Sequence, residues 1–118
     1  MARSRPQLVG SVFGQLADAY PAMRTYTEVQ RERTAEDLSH IVEFLAAALY
    51  TGDDDLFCGF LVWTAGVLDA RGVPAASLLP ALELLERELQ DFPRATATLR
   101  AGAARLTRTP LTPAGTAE

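Results

Sequence analysis

The sequence predicts an all-α single domain of five to six short helices. Three observations carry that prediction. Apolar residues recur at helical spacing along most of the chain, and the two-residue alternation of a half-buried strand is missing. Helix-breaking residues punctuate those stretches at Pro21, Gly52, Gly72, Pro74 and Pro93. The 118 residues suffice for one hydrophobic core and one domain.

A first helix is expected over 8–20, burying Val9, Val12, Phe13 and Leu16 and stopping at Pro21. A second is expected over 22–33, with Met23, Tyr26 and Val29 or Gln30 along one side. Thr34 then reads as a cap, with Asp37 able to complete a capping box. It opens a third helix to Tyr50, in which Leu38, Ile41, Val42, Leu45, Ala48 and Leu49 form the core stripe. The alternative is one longer helix bent at Arg33-Thr34. Gly52 suits a left-handed helix end, and Asp53 or Asp54 suits the next cap. The fourth helix, 54–71, is apolar nearly all round, as is usual for a helix covered on most sides. The fifth is expected from Pro74 or Ala75 to Phe92, with Ser77 re-capping it or a bend at Pro80. Leu78, Leu82, Leu85 and Leu89 are its buried stripe. A last helix over 94–108 is expected to bury little beyond Leu99, Ala103 and Leu106. The helical domain thus covers 1–108, and the proline-containing end, 109–118, reads as a disordered tail.

Composition narrows the function classes. All 11 basic residues are arginine against 15 acids, so the chain lacks the broad basic surface of a nucleic-acid binder. Arginine for every base and alanine at 20 positions fit a GC-rich bacterial genome. No apolar run reaches the ~18–20 residues that span a bilayer. The segment after Arg5 is too broken by glycine and polar residues for a signal peptide, so a cytoplasmic location without membrane contact is expected. One cysteine forms no internal disulfide, and one cysteine with one histidine forms no zinc site. Charge is uneven. From Glu28 to Asp91 there are 13 acids against four arginines, whereas Arg94, Arg100, Arg105 and Arg108 follow with no acid until Glu118. The basic last helix is expected to face water, or to fold onto the acidic body or an acidic partner.

Few residues can carry chemistry. His40 lies just off the core stripe, with Glu36 one turn before it and Phe44 one turn after it. It reads either as a half-buried histidine bonded to Glu36 or backbone, or as the axial metal ligand of a haem-type iron. Cys58 sits among Phe57, Phe60 and Leu61, surroundings that raise a thiol pKa. It reads as a small core residue, or as a thioether anchor for a linear tetrapyrrole. Phe57, Phe60 and Trp63 recur at helical spacing, as core or as the wall of a flat cofactor site. Asp53-Asp54-Asp55 lacks the spacing of a calcium loop and reads as capping. No nucleophile, base and acid converge, so no enzyme is expected.

The string Thr34-Ala-Glu-Asp-Leu-Ser-His40-Ile-Val-Glu-Phe44-Leu-Ala-Ala-Ala-Leu49 is followed by Asp55-Leu-Phe57, Trp63 and Val67-Leu-Asp-Ala-Arg71-Gly-Val-Pro74. Over residues 26–92 this resembles the small helical domain in front of cobalamin-binding domains in bacterial regulators. It is also similar to the globin-like sensor domains of stressosome-type co-antagonists. The resemblance implies a globin-like fold or orthogonal helical bundle that senses or transmits, and tetrapyrrole binding in some relatives. It departs from the family pattern at Ile41, where histidine is frequent, and at Gly59-Phe60, where an acidic-aromatic pair is frequent. The expectation is therefore a non-enzymatic sensory or regulatory module acting through protein–protein contact, as a homodimer or with another regulatory protein. The alternative is a haem- or bilin-binding protein using His40, Phe44, Cys58 and Trp63.

Overall fold

A proline and two caps set the first reversals of the chain. The computed structural model describes residues 5–74 and 77–108. Helix α1 spans Arg5–Ala19 and ends just before Pro21. Pro21 opens a 3-10 turn, Pro21–Thr25, which buries Met23. Tyr26 is extended, and Thr27 starts α2, Glu28–Thr51. The Thr27 hydroxyl accepts from the Gln30 backbone N–H at 3.1 Å. The Gln30 side-chain oxygen accepts from the Thr27 N–H at 2.8 Å. This reciprocal box satisfies two donors that a helix start leaves orphaned.

Helix α2 then runs unbroken past Arg33 and Thr34. A separate helix over 22–33 with a new start at Thr34 is therefore corrected to the single long helix. Thr34 is interior, and its hydroxyl donates to the Gln30 carbonyl at 2.8 Å. Both threonines have the capping pattern, but only Thr27 follows an extended residue, because the 3-10 turn anchored by Met23 ends there.

The turn after α2 forms as expected. Gly52 takes φ 72° and donates to the Ala48 carbonyl at 2.8 Å. The Asp53 carboxylate accepts from the Asp55 N–H at 3.0 Å and caps α3, Asp54–Ala70. Gly72, at φ 80°, follows the end of α3. Helix α4 spans Leu78–Glu88, shorter at both ends than expected. Pro80 sits in its first turn, where its missing N–H costs no intrahelical bond. Ser77 stands at the cap position without a side-chain capping bond. Helix α5, Pro93–Arg108, completes the domain. The expected tail, 109–118, lies outside the described residues.

The described residues thus form an all-α single domain of five helices and one 3-10 turn. Helix α1 packs against α2 and α4, and α3 packs against α2 and α5, which also touch each other. Leu38, Ile41, Val42, Leu45 and Ala48 of α2 are buried, as their spacing predicts. Ser11 and Gln15 of α1 both donate to one Glu88 oxygen, at 3.3 and 2.9 Å, joining α1 to α4.

Helix α5 is tied to the acidic body at four points. Thr98 donates to Asp54 at 2.7 Å, and Arg105 meets Asp55 at 3.1 Å. Arg100 meets Glu86 at 2.9 Å, and Arg94 donates to the Leu49 carbonyl at 2.9 Å. Of the expected roles for the basic helix, docking within the chain is the one observed. The helix also buries more than its leucines suggest, because Ala95, Thr98 and Gly102 join Leu99 and Leu106 inside.

Candidate functional site

Helices α2 and α3 are consecutive and antiparallel, and they leave an open groove on their outer side. Its volume is about 820 Å³. Spacing on α2 brings Asp37, His40 and Phe44 to one edge, and spacing on α3 brings Leu56, Phe60 and Trp63 to the other. Phe44 and Phe60 stack across the floor with ring centroids 4.0 Å apart and planes 9° from parallel. The Trp63 ring follows 6.1 Å from Phe60. Trp63 is 65% exposed and Leu56 37%, so this face holds large apolar side chains in water.

Thr64 adds a second signal. Its hydroxyl is buried at the groove and, among the described residues, has no hydrogen-bond partner. Most buried hydroxyls are paired, because an unpaired one forfeits its hydration without replacement. Sequence reasoning missed Thr64, since nothing in its spacing marks the hydroxyl as unpaired.

The structure brings together three of the four expected cofactor residues: His40, Phe44 and Trp63. His40 is exposed at the edge, its Nδ1 3.4 Å from Glu43 Oε1, so the expected half-buried histidine bonded to Glu36 or backbone is corrected. Cys58 lies elsewhere. It is buried on the side of α3 that faces α5, where burial pushes its thiol pKa up against the opposing pull of Arg105. A helix turns about 100° per residue, which sets Cys58 roughly opposite Phe60. Phe57 likewise points into the core and is fully buried. The three regularly spaced aromatics therefore divide, with Phe57 inward and Phe60 and Trp63 outward.

Asp37 stands where the groove meets a smaller cavity. Burial is the main cause that raises its carboxyl pKa, outweighing the pull of Arg71, His40 and Arg33. The native protein therefore holds a proton at Asp37 more readily than the unfolded chain. The associated stability is complete below the ordinary carboxylate range and is lost as pH rises through the raised pKa. Asp37→Asn is expected to melt higher than the wild type at neutral pH, with the advantage shrinking as pH falls into the acid range. Thermal melts across that range check it, and an Asn variant less stable at neutral pH would contradict it.

Among the described residues no group of three or more His, Cys, Asp or Glu side chains is placed to hold a metal ion. No helix there is long and apolar enough to cross a membrane. Comparison with protein-family models found no match, and no curated protein was found similar to the chain.

Proposed function

We propose that the chain is a non-enzymatic, cytoplasmic regulatory module that works through protein–protein contact, and that the α2/α3 groove is its contact face. The observation that carries this reading is exposed Trp63 beside the half-buried, stacked Phe44 and Phe60 and the unpaired Thr64 hydroxyl. Tryptophan in such a setting is a frequent anchor of binding energy.

A second copy of the chain suits the groove. Asp55 and Arg71 lie at opposite ends of it on α3, about 24 Å apart at the helical rise. A twofold axis across the groove sets the Arg71 end of one copy against the Asp55 end of the other, while the aromatic centres meet. Asp55 is paired with Arg105 within its own chain yet keeps a side chain 84% exposed.

Sedimentation equilibrium over micromolar concentrations tests the proposal. The expected result is a dimer whose dissociation constant rises at least about 30-fold in Trp63→Ala, the loss typical of a hot-spot aromatic. Unfolding of that variant should stay close to wild type, because Trp63 lies outside the core. A 12.8 kDa species at every concentration would count against self-association.

A second reading, tetrapyrrole binding, draws on the same groove. The Phe44–Phe60 pair offers a flat apolar wall, and His40 at its edge is the one imidazole available to an iron. Cys58 does not fit this reading, because it is buried on the opposite side of α3 and cannot anchor a bilin in the groove. Hemin and biliverdin titrations followed by visible absorption separate the readings. A Soret shift lost in His40→Ala favours haem, and unchanged spectra remove the tetrapyrrole reading.

A further inference from the structure

Behind the groove lies a smaller and more enclosed cavity of about 130 Å³, between the end of α1, α2, the end of α3 and the start of α4, with Tyr20 and Tyr26 on either side of the 3-10 turn. Its inner wall is apolar and includes Leu16, Leu38, Ile41, Leu68 and Leu78. Polar groups also line it: Arg33, Arg71, Asp37 and the two tyrosines, Tyr20 and Tyr26. Arg33 and Arg71 are exposed residues, so their guanidinium groups belong to the solvent side of the cavity. Among the described residues neither guanidinium makes a hydrogen bond or an ion pair. With Asp37 ionised, the lining carries two positive charges and one negative.

We propose that this cavity binds a small monocarboxylic acid with a compact apolar body, the body against the leucine wall and the carboxylate between Arg33 and Arg71. Three features select that class. The net charge of the lining calls for one anionic group. Guanidinium donors match a carboxylate in geometry and strength. The volume limits the apolar part, since an aliphatic cavity of about 150 Å³ holds benzene. Short branched or unbranched acyl chains and single aromatic rings fall within that limit. The proposal goes beyond the contact function assigned to the groove and does not depend on it, because Arg33 and the leucine wall other than Leu68 line the cavity alone.

The test is an NMR titration of the isotopically labelled full chain with sodium benzoate and sodium hexanoate, with benzyl alcohol as the uncharged counterpart. The expected result is saturable shifts at the cavity-lining residues by about 10 mM, where even a millimolar site fills. Loss of one charged hydrogen-bond donor is expected to weaken benzoate about tenfold, in Arg33→Gln and again in Arg71→Gln. Asp37→Asn removes the competing carboxylate and is expected to tighten it. Both arginines are exposed, so these variants keep the fold, and Arg33→Gln leaves the groove intact. The proposal is overturned if neither acid gives saturable shifts, if benzyl alcohol binds as tightly as benzoate, or if both arginine variants keep wild-type affinity. Self-association measured on the same samples reports on the groove separately.

Discussion

Valine at Gly102 is expected to destabilise the domain by about 3 kcal/mol, at the upper end of ordinary overpacking. A Cβ at Gly102 would lie 2.5 Å from Leu61 Cδ1 and 2.9 Å from Phe57 Cε2. Both neighbours are fully buried, so neither can swing into solvent. Even alanine is expected to lose: the roughly 1 kcal/mol gained in helix propensity is smaller than the 1–3 kcal/mol of an overpacked contact. Gly66 is the control. It lies in α3 with nothing within 4 Å of its would-be Cβ, so Gly66→Ala should stabilise by up to about 1 kcal/mol. Urea denaturation of the three variants checks the ordering. A rise in midpoint for Gly102→Ala would contradict the close approach of α5 to α3.

Phe57→Ala is expected to cost about 3–5 kcal/mol, a large share of the 5–15 kcal/mol that holds a typical domain together. Phe57 is fully buried and lies against α5, so its removal leaves a cavity that its neighbours fill only in part. Phe60, three residues on, should behave differently. It is half-buried and stacked on Phe44, and Phe60→Ala forfeits about 0.5–1.5 kcal/mol of ring pairing plus part of its burial. Its larger effect should fall on association. Equal destabilisation by the two substitutions would mean that Phe60 is core and the groove is closed. Paired denaturation and sedimentation measurements separate the cases.

Those two phenylalanines also mark how far the sequence can be read. Leu38, Ile41, Val42, Leu45 and Ala48 recur at helical spacing along one face of α2 and charged residues interrupt the other faces, so spacing identifies the core there. Helix α3 carries apolar residues on nearly every side, and spacing does not tell Phe57 and Cys58, which face inward, from Phe60 and Trp63, which face out. Because of that ambiguity the sequence places Cys58 in one site with His40, whereas in the fold Cys58 is buried and only His40 lines the groove. Gly52 and Asp53 were legible because each performs a local task, a left-handed turn and a cap. Thr27 and Thr34 show the limit of local rules, since both have capping chemistry and a packed Met23 decides between them. Gly102 carries no local signal at all, because its reason for being glycine lies on another helix. The cavity of Arg33 and Arg71 draws its lining from four segments that only the fold assembles.

Asp37, Leu68 and Arg71 face both the groove and the cavity behind it, as a thin partition between two rooms. An occupant of either room that moves this partition changes the affinity of the other, and the exchange is symmetric. The factor by which a bound acid alters dimer affinity equals the factor by which the dimer alters acid affinity. Three side chains would then be enough to turn a passive contact surface into one that reports what lies behind it.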